Sequence, residues 1–307
     1  MTTAVDPKPA PLPPIRSLLA AVDFSADADR AARRAAQLAR QHQARLDLLH
    51  VVEVDALDAL REWLLPGHDP RAQLADEARG EMTALCARLG LPDGTPPRGE
   101  VAVGRPLDLI AAQGAHADVL VLGARGTHPL RELAVGTTAD RLLRLAGQPM
   151  LVVRAEPAAP YQKVLALVDF SPSSLAALEA AQRLAAGAQV RLLHGYEVPF
   201  EGKLRLAGVD EGEILGWRVQ ARRHALLELE RLAAGLRGTT SAGHTVLDGD
   251  VRTLFPQALA QWQPDLVVIG KQGRSALQDL FLGSVTRAVL AESPCDVLVV
   301  PKGAQAR

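Results

Sequence analysis

Asp265-Leu266-Val267-Val268-Ile269-Gly270-Lys271-Gln272-Gly273, followed after nine residues by Gly283-Ser284, passes from a short apolar run through a glycine turn into a segment of helical period. An apolar run of this length, bounded by Asp and Gly, reads as a strand buried on both faces, and the segment from Ser284 to about Ala291 reads as a helix. The stretch occurs twice. Asp118-Val119-Leu120-Val121-Leu122-Gly123-Ala124-Arg125-Gly126 is followed after nine residues by Gly136-Thr137, so each half carries the pattern G-x2-G-x9-G-[ST] directly after a strand and before a helix. Such a loop suits anion binding. Glycines permit positive φ and close approach, successive N–H groups form a nest, and a helix begins with unpaired N–H groups at the positive end of its dipole. Thr137 and Ser284 each add a hydroxyl donor.

Outward from this loop the duplication continues. Val22-Asp23-Phe24-Ser25 recurs as Val168-Asp169-Phe170-Ser171, and Leu48-Leu49-His50 as Leu192-Leu193-His194, in the same order and at nearly constant spacing. Repeats of this length bury their own cores, so two domains are expected rather than a solenoid. The join falls between Arg154 and Pro160, where Pro157 and Pro160 interrupt the apolar pattern. This reading gives a disordered Pro-rich leader at 1–14, a first domain at 15–155 and a second at 161–302. In the second, strands are expected at Lys163 to Asp169, Val190 to Tyr196, Thr245 to Leu247, Leu266 to Ile269 and Val297 to Val300. Helices are expected at Pro172 to Ala186, Glu213 to Leu236, Val251 to Gln261 and Ser284 to Ala291. Strands alternating with helices imply βαβ units. The predicted fold is α/β, two repeated doubly wound parallel five-stranded sheets of Rossmann-like type, with ligands at the carboxyl ends of the strands where strand order reverses. The apolar last strands, Leu151-Val152-Val153 and Val297-Leu298-Val299-Val300, would be open edges and are expected to pair with each other.

Composition narrows the function. The 307 residues carry a formal net charge of -1, with 22% charged and 3% aromatic residues, which argues against a nucleic-acid binder. No apolar run is long enough to span a bilayer, and the two cysteines, Cys86 and Cys295, form neither a disulfide framework nor a thiolate metal site. A cytoplasmic protein without membrane or nucleic-acid partners is expected. The chain lacks G-x4-G-K-[ST], H-E-x-x-H and G-x-S-x-G, so no catalytic machinery is assigned. His50 and His194 read as core histidines bonded to backbone, and Asp118 and Asp265, at the opposite strand ends, as structural. Asp23 and Asp169 read either as ligand contacts or as helix caps. Lys271, Arg274, Arg125 and His128 lie within the loops and read either as phosphate partners or as solvated charges.

On the Val-Asp-Phe-Ser segments and the duplicated G-x2-G-x9-G-[ST] loop, nearly the whole chain resembles the universal stress protein family, an adenine-nucleotide-binding α/β family. The resemblance implies that Asp23 and Asp169 contact adenosine and that Val51 lines the adenine pocket. It implies that Leu122, Gly123, Gly126, Gly136 and Thr137 in the first copy, and Ile269, Gly270, Gly273, Gly283 and Ser284 in the second, hold ribose and phosphates. The second copy keeps the family's Ser284-Val285-Thr286, whereas the first has Thr137-Thr138-Ala139, and Gly195 stands where the first copy has Val51. The implied ligand is ATP with Mg2+ or Mn2+, and the implied assembly is an internal pseudo-dimer of the two domains, with a homodimer through another face left open. The expected function is nucleotide-dependent interaction in the stress response. The alternatives are a nucleotide-free scaffold for a lipid or protein and a slow ATP hydrolase or self-phosphorylating protein.

Overall fold

The computed structural model describes residues 12–53, 70–90, 96–125, 137–273 and 282–303. The first half contains β1 (Ser17–Ala21), α1 (Ala26–His42), β2 (Arg45–Glu53), α2 (Pro70–Leu89), β3 (Arg98–Gly104), α3 (Pro106–Gly114), β4 (Val119–Gly123), α4 (Thr137–Leu145) and β5 (Met150–Val153). The second contains β6 (Lys163–Leu167), α5 (Pro172–Leu184), β7 (Gln189–Tyr196), α6 (Glu201–Leu206), α7 (Glu211–Ala234), β8 (Thr240–Asp248), α8 (Val251–Trp262), β9 (Leu266–Gly270), α9 (Ser284–Glu292) and β10 (Asp296–Val300). The six-residue α6 is too short to show a helical period and was not foreseen. The chain also enters the fold before residue 15. Pro13 and Pro14 accept hydrogen bonds from the Arg183 guanidinium, so the end of the expected leader is part of the structure.

The two five-stranded halves share one ten-stranded sheet in the order β3-β2-β1-β4-β5-β10-β9-β6-β7-β8. Within each half neighbouring strands are parallel. At the centre β5 and β10 run antiparallel, pairing Val152 with Val297, Leu151 with Leu298 and Met150 with Val299. These six side chains are buried. Both faces of the sheet are covered, which explains why its strands show continuous apolar runs rather than alternation. Leu18, Ala20, Val121, Leu151 and Leu298 belong to the core on one face, under α1 and α5. Leu19, Ala21, Leu120, Val152 and Val297 belong to the core on the other.

One fully buried carboxylate ties the interdomain segment to this junction. Asp296 Oδ1 accepts from the N–H groups of Arg154 (2.8 Å) and Ala155 (3.0 Å), while Oδ2 accepts from Arg34 Nε (3.1 Å) and Tyr161 Oη (2.6 Å). Arg34 also donates to the Ala159 carbonyl and lies over the Tyr161 ring. Burial and the Asp296 charge push the Tyr161 phenol well above its ordinary value, so it stays protonated and donates. A buried charge that loses its partner is expensive. Asp296→Ala is therefore expected to cost about 3–5 kcal/mol in urea unfolding, against less than about 1 kcal/mol for Glu156→Gln at the exposed Arg33 pair.

Candidate functional site

Strand order reverses between β1 and β4 in the first half and between β6 and β9 in the second, and there each chain leaves its strand through an Asp-Phe-Ser turn. Asp169 Oδ1 accepts from Ser171 N (3.0 Å) and Ser171 Oγ (2.5 Å), and Ser171 caps α5 by accepting from Ser174 N (3.2 Å). Asp23 and Ser25 repeat this at 3.1 and 2.5 Å, and Ser25 caps α1. The caps are thus the serines, while each aspartate holds the turn through one oxygen. Between them Phe24 and Phe170 adopt φ of 59° and 60°. A left-handed aromatic residue costs about 1–3 kcal/mol and persists only where its surroundings enforce it. The enforcing groups are the two histidines. His50 Nδ1 donates to the Val22 carbonyl (2.8 Å) and His194 Nδ1 to that of Val168 (2.6 Å), each ring centred 4.5 Å from its phenylalanine. A carbonyl only accepts, so Nδ1 carries the hydrogen in both. Both histidines bond backbone as expected, His194 buried and His50 half-buried, but the strained phenylalanines were missed; their signal was the exact recurrence of Asp-Phe-Ser.

The glycines at the next strand end are required for a different reason from the one expected. Gly123, Gly270, Gly273 and Gly283 are not among the positive-φ residues, and Gly283 has φ of -57°. What they provide is contact distance. A Cβ on Gly270 would stand 2.8 Å from Ser173 Oγ and 2.9 Å from the Ser173 carbonyl carbon, and one on Gly123 would stand 2.8 Å from that of Asp27. A Cβ on Gly273 would meet Asp169 Oδ2 at 3.0 Å. Gly126 and Gly136 lie outside the described residues, as do Arg274 and His128, and of Thr137 only the backbone, at the start of α4, is described.

Some loop amides are spent internally. Lys271 N–H donates to the Val300 carbonyl (2.7 Å) and Gly283 N–H to that of Lys271 (3.0 Å). Helix α9 then begins on Gly283, a cap without a side chain, and its first internal bond in the loop-facing turn is Arg287 N to Gly283 O. The N–H groups of Ser284, Val285 and Thr286 have no acceptor among the described residues, which is the arrangement that attracts anions at a helix start. These three residues line a cavity of about 690 Å³ together with Asp169, Ile269, Gly270, Gln272, Gly273 and Gly283. Its far wall is Gly195, Glu197 and the Gly249 to Arg252 turn. Asp250 caps α8 and pairs with Arg252, whose guanidinium holds that carboxyl below its ordinary value. Glu197 and Arg252 were not singled out in the sequence; for Glu197 the signal was there, since Leu192-Leu193-His194-x2-Glu197-Val198 repeats Leu48-Leu49-His50-x2-Glu53-Val54, whereas Arg252 has none.

The other residues singled out in the sequence take the following places. Lys271 is buried, and its Nζ donates to the carbonyls of Arg144 (2.5 Å) and Ala146 (3.3 Å) at the end of α4, so it joins the halves instead of facing phosphate. Thr286 Oγ1 donates to the carbonyl of Gly270 (2.9 Å) and so braces the loop; its backbone N–H is what remains for an anion. Gly195 leaves room for the Val251 side chain, which stands 2.5 Å from where its Cβ would be. Val51 packs against the core, Leu122 and Ile269 are buried at their strand ends, and Thr138 is exposed on α4. Asp118 accepts from Arg16 N and Ser17 N, and Asp265 from Gln162 N and Lys163 N, holding the opposite strand ends as expected. Among the described residues no group of His, Cys, Asp and Glu could hold a metal ion, and no helix is long and apolar enough to cross a membrane.

The sequence profile of the universal stress protein family matches residues 14–154 and again 160–301. The chain belongs to the universal stress protein family. It is 28% identical to a universal stress protein of Mycolicibacterium smegmatis, over 92% of this chain and 96% of that one. A universal stress protein of Mycobacterium tuberculosis is 26% identical over 91% of this chain and 94% of its own length. In fold, the crystal structure of a universal stress protein from Archaeoglobus fulgidus covers 94% of this chain and 98% of its own with a TM-score of 0.65, at 17% identity. Each half of this tandem universal stress protein therefore matches the family's sequence model.

Gly270→Ala would drive a methyl group into the Ser173 backbone, and is expected to lower stability by about 1–3 kcal/mol in denaturant unfolding. Burial and the adjacent Asp296 push the Cys295 thiol up to about 12, and burial also raises Cys86. Both thiols are expected to resist iodoacetamide at pH 8 in the folded protein and to react on unfolding, read by mass spectrometry.

Proposed function

We propose that this protein binds ATP in the crevice between β6 and β9 and acts in the stress response through interactions that depend on nucleotide state. The observation that carries the reading is the uncapped start of α9. Three successive N–H groups face a cavity of about 690 Å³ at the switch point of the sheet, a volume within the range of small-molecule and cofactor sites. A polyphosphate supplies the acceptors these donors lack. Ser284 adds a hydroxyl, Asp169 stands at the opposite lip to meet ribose or base, and Leu167 with Val251 forms an apolar wall for the adenine ring. In the first half Asp23 and Val51 hold the positions of Asp169 and Gly195. A divalent ion, Mg2+ or Mn2+, would be held by phosphate oxygens and water, since the described residues offer no cluster for it. The reading is of a binding protein with little or no turnover. Its two halves, paired through β5 and β10, stand in one chain for the two subunits of a dimer, and we place it in the cytoplasm.

Denaturing the purified protein and assaying the released small molecules tests this, with adenine nucleotide expected. Gly283→Val adds a branched side chain beside Thr286 Oγ1 and the Lys271 carbonyl, 3.3 and 3.4 Å from the new Cβ. It should weaken ATP binding at least tenfold by equilibrium dialysis, about 1.4 kcal/mol or more. Unchanged affinity in this variant would remove α9 from the site.

A further inference from the structure

Helix α7 is 24 residues long, yet it buries only Ile214, Ala225 and Leu229, and none of the ten residues from Leu215 to His224 is buried. Its counterpart in the first half, α2, buries Ala75, Ala78, Met82, Leu85 and Leu89, an unbroken stripe at helical spacing. The middle of α7 thus carries large apolar side chains that the described fold leaves open. Leu215 is 59% exposed, Trp217 40% and Val219 60%, with Leu227 (46%) farther along the helix. Single apolar residues on a surface are ordinary, whereas a cluster of them marks an interaction site.

The charges of the same helix define what fits it. On the flank toward α6, Arg218 pairs with Glu201 (2.5 Å) and Glu211 with Arg205 (2.7 Å). On the outer face the side chains of Glu213 and Arg223 have no ion-pair or hydrogen-bond partner among the described residues. They stand about 15 Å apart along the helix axis and about 80° apart around it, with Gly216 and Gln220 between them on that face. Two such helices laid antiparallel, about a two-fold axis passing between Gly216 and Gln220, set Glu213 of each copy opposite Arg223 of the other. Gln220 of each then lies over Gly216 of the other, where a Cβ would meet nothing within 4 Å in the single chain. The face is therefore complementary to itself, the property that an isologous contact requires. Glycine at the crossing lets the two axes approach closely; in an exposed helix interior without such a contact it only weakens the helix.

We propose that the outer face of α7 is an interface between two copies of this chain, packed antiparallel about a two-fold axis. The inference is independent of the ATP-binding reading. It follows from the fold that association of two chains uses a surface other than β5 and β10, because those strands are already paired with each other within one chain.

Sedimentation velocity on the full chain at increasing concentration tests this, and the mass should converge on twice that of one chain. Glu213→Arg places like charges opposite each other twice per dimer and should raise the dimer dissociation constant at least about tenfold, as should Arg223→Glu. The double exchange restores both pairs in reverse and should return the constant to its wild-type value. Gly216→Leu should move two readouts in opposite directions, raising the urea midpoint of the monomer through better helix propensity while abolishing the dimer. A chain that stays monomeric at every concentration, whether or not it sediments with anionic lipid vesicles, would overturn the inference. So would a dimer indifferent to the single exchanges, or one that the double exchange fails to restore. ATP binding measured on the same variants should be unchanged, so the two readings fail separately.

Discussion

A parallel sheet delivers the carboxyl ends of all its strands to one rim. Joining two such sheets antiparallel through β5 and β10 sends the two rims in opposite directions along one ten-stranded sheet. The remainder of the architecture accommodates that junction. Apolar strands that would otherwise present open edges are buried against each other, and the interdomain segment folds over the joint, where Asp296 gathers Arg34, Tyr161 and two backbone amides. Each half thereby keeps its own point of strand-order reversal. Lys271 links the second loop to the end of α4, the helix that starts at the first loop.

At each crevice the geometry is set before any ligand arrives. The strand-to-helix turn is fixed by an aspartate that takes two donors from a serine, a phenylalanine forced to positive φ, and a histidine that holds the strand carbonyl and supports the phenylalanine ring. Glycine at the neighbouring strand end lets the turn and the loop touch. Strain accepted in both copies, and a helix start left without a cap, are costs that a purely structural turn has no need to bear. Pre-set donors bind an anion without having to be ordered first.

Much of this was legible in the sequence because duplication supplies an internal control. A lone glycine pair after a strand is ambiguous, whereas the same spacing in two copies, each between a strand and a helix, located both loops and so the loop side of the second crevice, but not Glu197, Pro199, Val251 and Arg252 across from it. What the pattern could not give was the direction of individual side chains. Lys271 reads as a phosphate ligand by position, yet its stem follows the buried surface toward the end of α4, where two carbonyls await a cation. The glycines read as positive-φ residues, but the sterically unusual backbone belongs to Phe24 and Phe170, which no propensity argument would select. The single sheet was foreseen only as a pairing of edges, since strand register across two domains is set by packing.

The central claim is that the backbone N–H groups of Ser284, Val285 and Thr286 grip the ligand's phosphates. Titrating ¹⁵N-labelled protein with ATP and Mg2+ while following assigned amide resonances tests it directly. The largest shifts are predicted at these three amides, with Gln272 and Gly273 beside them; nucleotide binding that leaves the start of α9 unmoved would contradict the account.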